Sequence, residues 1–242
     1  MLNLSEILNE ITSTFPDHED RALLLRNYPD PVAKFFRYHL PDGIPDHTFA
    51  KIRMKGIIKL VNWANFRSTL YPQPFKGFLW QAKVKMGILP IEGYDYFLKD
   101  QGAMKWTTFG VIPVMKAEGE DVSRSAEGRA RMEALFAPHL LIHQAIRWEV
   151  ISENEITATW KIQREEQPVH LIIGNDGSLK EVYIQRWGNP GGVKEFGYHT
   201  FGVKVEAEMK YKGTVIPAKG NAGWWFGSDQ YKDGEFFRFE VG

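Results

Sequence analysis

The sequence predicts a mainly β protein: one large, strongly curved antiparallel sheet or half-barrel of about ten to twelve strands, covered by N-terminal helices and a mid-chain helix. Three observations predict it. Residues 147–187 carry apolar side chains at every second position: Trp148 and Val150; Ile156, Ala158, Trp160 and Ile162; Val169, Leu171 and Ile173; Val182 and Ile184. That period marks a strand with one buried face, and polar turns at 153–155, 165–168 and Asn175-Asp176-Gly177 separate four such segments. Tyr183 and Trp187 lie opposite Val182 and Ile184, so the sheet has apolar material on both faces and must be covered or curve around something. So many strands also exceed what a flat open sheet usually holds.

The elements follow in order. Residues 1–45 read as three short helices. Asn3 with Glu6 forms a capping box before the stripe Leu4, Ile7, Leu8, Ile11 and Phe15, which Pro16 ends. Asp17 can cap a second helix bearing Leu23, Leu24 and Leu25, and Asp30-Pro31 starts a third whose Val32, Phe35, Phe36 and Leu40 share a face. Residues 46–118 form a first strand group. Ile52, Met54, Ile58 and Leu60 alternate with basic residues around Gly56, where a bulge or sharp bend is expected, and Phe78, Trp80, Ala82, Val84 and Met86 alternate with polar ones. Residues 121–145 supply the helical cover, and 147–242 a second strand group with a wide turn at 188–192 and a strand from Val193. Trp224-Trp225-Phe226 points to both sides of its strand, so one ring should be exposed or meet the cover. With no repeat or linker, the 242 residues form one domain.

Composition narrows the partners. Thirty basic and thirty acidic residues leave a net charge of zero, so no global field draws the chain to nucleic acid or an acidic surface, and no nucleic-acid partner is expected. The absence of cysteine excludes disulfides, thiolate metal sites and a cysteine nucleophile. No apolar run reaches the roughly 20 residues of a transmembrane helix. Acidic residues interrupt any secretory pattern near the N-terminus, and the expected compartment is the cytoplasm.

The chain also resembles a known family. Tyr94-Asp95-Tyr96 with Gly102 and Met104, Arg131 and Glu133 before Pro138, Leu140 and Leu141, Arg147-Trp148-Glu149, and 213–217 before Trp224 and Phe237 are similar to a family of uncharacterised bacterial proteins, from about Pro31 onward. Its order of elements is similar to the lipoprotein-carrier (LolA-like) fold. That resemblance implies an open half-barrel whose concave face is covered by helices and holds acyl chains.

Candidate sites follow from residue chemistry. His139 and His143 stand at i, i+4, but no HExxH glutamate and no third ligand accompany them, so no metal or other cofactor is expected. No serine occupies a nucleophile elbow. Lys51, Arg53, Lys55, Lys59, Lys83 and Lys85 share one strand face, a solvated outer surface or an anion platform. The charged group Asp95, Arg131, Glu133, Arg147 and Glu149 is expected to form an ion network where the mid-chain helix crosses the sheet. Trp80, Tyr96, Trp106, Trp148, Trp160, Tyr183, Trp187 and Trp224 form an aromatic core or line an apolar cavity. Together these thirteen residues are the candidate ligand-binding set. The leading expectation is a non-catalytic protein holding a lipid-like small molecule in a concave β cavity. The alternatives are an enzyme using Asp95, Glu133 or Glu149 as acid or base in that cavity, and a scaffold with a filled core.

Overall fold

The computed structural model describes residues 2–13, 20–192 and 195–242. Three helices come first: α1 (Leu4–Thr12), α2 (Arg21–Asn27) and α3 (Asp30–His39). The expected capping box at Asn3 and Glu6 is formed. Pro16, Asp17 and Val193 lie outside the described residues; Asp20 accepts from the Leu23 backbone N–H at the start of α2. Six strands follow: β1 (Ile52–Lys59), β2 (Trp63–Gln73), β3 (Gly77–Met86), β4 (Leu89–Leu98), β5 (Gln101–Thr108) and β6 (Ile112–Glu118). Then come α4 (Glu120–Glu133) and two short 3-10 turns, Ala134–Phe136 and Pro138–Leu141. The second group is β7 (Arg147–Ser152), β8 (Glu155–Lys161), β9 (Glu166–Ile173), β10 (Leu179–Gly188), β11 (Gly197–Tyr211), β12 (Thr214–Trp224), the single turn α5 (Tyr231–Gly234) and β13 (Glu235–Val241).

All thirteen strands belong to one antiparallel sheet, ordered β6-β5-β4-β3-β2-β1-β13-β12-β11-β10-β9-β8-β7. The chain meanders from the centre to one edge, crosses by way of α4 to the other edge, and meanders back. That crossing reveals the curvature. α4 bonds to β4 through Arg129 and Asp95 at 2.8 Å, and to β10 through Arg186 and the Ser125 carbonyl at 3.0 Å. In a flat sheet β4 and β10, seven places apart, would be separated by roughly 34 Å, about three helix diameters. The sheet must therefore curl around α4. The same curl brings the β8–β9 turn to the β4–β5 turn, where Arg164 bonds Asp100, and lets the Trp160 indole N–H donate to the Pro74 carbonyl at 2.8 Å.

Alternation sorts the side chains. The inner face, toward α4, carries Leu70, Phe78, Trp80, Ala82, Phe97, Trp106, Ile156, Ala158, Trp160, Leu171, Val182 and Ile184, all buried. The outer face is largely polar, apart from a small apolar cluster where Ile7 and Ile11 of α1 cover Tyr71, Leu79, Tyr96, Leu98 and Ala103. Two glycines are required by close approach. At Gly56 the β1–β2 register is unbroken and no bulge forms; a Cβ there would lie 1.9 Å from the Arg238 carbonyl oxygen. At Gly102 a Cβ would lie 2.7 Å from the Cα of Ser123, so its absence lets α4 rest on β5.

The Trp160 bond can be tested directly. Trp160→Phe keeps most of the ring but strands the Pro74 carbonyl, and is expected to cost about 1–3 kcal/mol, read as a lower urea midpoint with an unchanged m-value.

Candidate functional site

The inner face is built from the strands upward. Trp80 and Trp106 stand on neighbouring alternate positions with ring centroids 5.7 Å apart. The Trp106 indole N–H donates to one Asp95 oxygen at 2.8 Å and Arg129 donates to the other at 2.8 Å. Arg129 also binds Glu133 at 2.8 Å and lies 4.9 Å over the Trp80 ring. Burial holds the Asp95 carboxyl above its usual range despite Arg129 and the indole, which favour the charged form. Each of its oxygens accepts one hydrogen bond and the residue is buried, so this group clamps α4 to the sheet.

The expected ion network is assembled differently. Arg131 pairs with Glu127 at 3.0 Å, both almost fully buried, and donates to the Glu165 carbonyl oxygen. Glu127 accepts from the Gln163 and Arg164 backbone N–H groups at 3.1 Å, tying α4 to the β8–β9 turn. Arg147 and Glu149 face outward on the edge strand β7, 62% and 54% exposed, and meet each other at 3.5 Å. They do not reach α4, because α4 crosses between β4 and β10 and β7 is covered by α3 instead. Trp148 packs there against Tyr28, Phe35 and Phe36 at 6.3, 6.0 and 5.2 Å.

The remaining candidates divide between the faces. Trp160 is buried inside, and Trp224 packs inside against Phe201 at 5.2 Å. Trp187 donates to Asp121 at the start of α4 and stacks under Arg124 at 4.0 Å. Tyr96 and Tyr183 are outside. The Tyr96 hydroxyl accepts from the Leu2 N–H at 3.1 Å, and Tyr183 donates to Glu155, which also binds His170. Trp224, Trp225 and Phe226 are all half-buried, since a positive φ of 56° at Trp225 turns the chain there. His139 and His143 lie on and beyond a 3-10 turn, the first against His47 at 4.3 Å and the second against Phe75 at 4.3 Å. No group of three metal-ligating side chains exists among the described residues.

Residues missed in the sequence matter here. Arg129 and Arg186 are central to the inner face, and the Glu127–Arg131 and Arg129–Glu133 pairs carry a legible i, i+4 signal. Arg186 donates to the Ser125 carbonyl and hydroxyl and lies 4.8 and 4.9 Å over Phe201 and Trp224. Burial, with Arg129 nearby, lowers it to about 9. The inner face thus holds its own rings, the Glu127–Arg131 and Arg129–Asp95–Glu133 ion groups, and an Arg186 charge set over Phe201 and Trp224.

Open space lies on the other face. Two clefts of about 1160 and 1100 Å³ adjoin on the outer side of the first strand group and share Lys55, Arg67, Lys83 and Glu92. Ile57, Ile88 and Val111 contribute apolar lining. Nine basic and four acidic side chains line the pair, in a chain of zero net charge. Each carboxylate is matched: Glu240 with Lys55 at 3.4 Å, Glu92 with Lys83 at 3.2 Å, Glu206 with Lys219 at 3.0 Å, and Glu235 with Arg238 at 2.5 Å. Arg53, Arg67, Lys85 and Lys105 are in excess. Arg67 stands directly opposite Lys55 on one neighbouring strand and Lys83 on the other. Of the basic face read from the sequence, Arg53, Lys55, Lys83 and Lys85 line these clefts.

Two outcomes test the inner face. Asp95→Ala leaves the buried Trp106 indole N–H without its acceptor and takes one of two carboxylates from Arg129, which keeps Glu133, and is expected to cost about 1–3 kcal/mol in urea unfolding. His139, 1% exposed, is lowered to about 3 by burial, whereas the unfolded chain titrates near 6.5. The unfolded state therefore gains its proton first as pH falls, and stability is lost from 6.5 down to about 3. At pH 5 the loss is about 2 kcal/mol. His139→Phe should flatten that part of the stability–pH curve measured by urea melts.

Comparison with known proteins follows the fold. No curated protein matches the chain in sequence. A putative outer membrane lipoprotein-sorting protein domain from Vibrio parahaemolyticus is similar in structure, with 8% identity, a TM-score of 0.42, and 92% of each chain covered. A DUF1329 family protein from Desulfovibrio piger shares 9% identity at a TM-score of 0.44, over 88% of this chain and 92% of that one. Residues 26–242 match a family of unknown function, DUF6920, and with nearly the whole sheet inside that match the chain belongs to this family.

Proposed function

We propose that the protein binds, without chemical conversion, an anionic amphiphile in the outer clefts: an apolar chain of acyl or isoprenoid kind carrying an acidic head. The observation that carries this reading is Arg67 between Lys55 and Lys83 on three adjacent strands. Like charges directly opposite each other across a sheet are destabilising, and with Lys55 and Lys83 each paired to a glutamate the row keeps the Arg67 charge in excess. An anion lying over it would remove the repulsion. The aliphatic stems of these side chains, with Ile57 and Ile88 in the same lining, offer the apolar contact that the tail requires. Each volume lies a little above the usual range of small-molecule sites, about 300–1,000 Å³. Of the carboxylates considered for chemistry, Asp95 and Glu133 pair with Arg129, and Glu149 lies on an exposed edge strand beside Arg147.

Titration with a fluorescent fatty-acid analogue tests the reading, and native mass spectrometry of freshly purified protein adds the identity of any co-purifying amphiphile. Binding is expected to weaken with salt. Arg67→Glu is expected to lower probe affinity about tenfold while raising stability by about 0.2–1 kcal/mol, because it relieves the row. Probe binding that ignores this reversal would remove the proposal.

A further inference from the structure

Three neighbouring hairpins of the first strand group end in side chains that a water-facing turn does not ordinarily carry. Val61, between β1 and β2, is 82% exposed; Ile88, between β3 and β4, is 95% exposed; Phe109 and Val111, between β5 and β6, are 62% and 77% exposed. Strand order places these turns side by side at one end of the sheet, roughly 10 Å from one to the next. The same sheet supplies its own control. Its turns Lys99-Asp100, Glu153-Asn154, Asn175-Asp176-Gly177 and Lys212-Gly213 have the polar and glycine chemistry that turns prefer, and the one aromatic turn at the opposite end, Pro74-Phe75-Lys76, keeps its ring half-buried against His143 at 4.3 Å. Phe109 gives up both solvation and backbone ease, holding a φ of 52° in the left-handed region that suits glycine or asparagine.

We propose that these three tips dock the protein on the surface of an anionic lipid bilayer, with their apolar side chains sunk into the headgroup boundary. Charge complementarity points to that occupant. Lys59 and Lys85 stand one and two residues back from the first two turns, at the depth of the headgroups, and the basic clefts open beside the tips. Glu92, on the same face of β4, is neutralised by Lys83 at 3.2 Å. Separate projecting tips form no continuous groove for a helix or strand, but a soft interface accepts each one independently. Trp63, at the foot of the first hairpin and 39% exposed, stands where an amphipathic ring sits at a membrane boundary. The tips would meet a bilayer whether or not the clefts hold an amphiphile.

The chain has no cysteine, so single labels are clean. Val61→Cys, Ile88→Cys and Val111→Cys, each carrying an environment-sensitive NBD dye, are mixed with phosphatidylcholine vesicles with and without phosphatidylglycerol; Glu153→Cys is the control. Expected is a blue shift with a several-fold intensity gain at the three tips, absent at position 153, dependent on phosphatidylglycerol and reduced by salt. Val61→Ser with Phe109→Ser, at two tip residues that do not line the clefts, is expected to lower vesicle partitioning about tenfold and to leave binding of the fatty-acid probe unchanged, which separates this surface from the clefts. No shift with phosphatidylglycerol vesicles would overturn the proposal. So would a shift that grows with protein concentration without lipid, which would assign the tips to a second copy of the chain.

Discussion

A sheet of thirteen strands, each rotated on its neighbour, cannot bury one face against a single helix unless it curls until distant strands touch that helix together. The rest of the structure depends on this meeting. Asp95 on β4 and Arg186 on β10 are both hydrogen-bonded to α4, so one helix sets the separation of strands far apart in the sheet order. The clamp is built of shared partners: Arg129 joins Asp95 of β4 to Glu133 of its own helix, and Arg186 rests on the Ser125 carbonyl and hydroxyl. The curl then fills the inner face with indoles and phenyls from both strand groups, and leaves the outer face as the surface with room.

The two faces handle charge in opposite ways. Inside, Glu127 pairs with Arg131, and Arg129 with Asp95 and Glu133, so each buried carboxylate meets a cation. Outside, the cleft carboxylates are each matched and cations are left over. Zero net charge conceals this division, since a balanced total says nothing about where the excess of one sign collects. Field at close range, not total charge, decides what such a surface attracts, and ionic strength within a Debye length decides how strongly.

Much of the fold was legible in the sequence because alternation reports which face a side chain takes. Phe78, Trp80, Ala82 and Val84 were read as one buried face and lie on the inner side, and the four strands from Arg147 onward are formed. Alternation does not report what covers that face. Trp148 does turn inward, but onto α3, so its neighbours Arg147 and Glu149 were assigned to a helix that passes elsewhere. Strand order is equally silent in local pattern: nothing near Arg164 announces Asp100, which lies 64 residues earlier and meets it only after the sheet has curled. Arg129 was within reach, since its four-residue spacing from Glu133 is the helix signal itself. Val61, Ile88 and Phe109 escaped for the opposite reason: an apolar residue next to a strand reads as part of the strand until the turn is located.

The curl also makes the two ends of the first strand group unlike. At one end, the Pro74 and Asp100 turns are tied to β8 and the β8–β9 turn by Trp160 and Arg164, and Lys76 and Lys99 bind α1 through the Glu10 carbonyl and carboxylate. That end is occupied by the protein's own contacts. The other end of the same strands is free of this closure, and there the turns are apolar and the clefts open beside them. A surface that must meet something soft and negatively charged can be placed only where the sheet does not need its turns for its own closure, so the constraint that pulls the edges together around α4 also decides which end remains available to a partner.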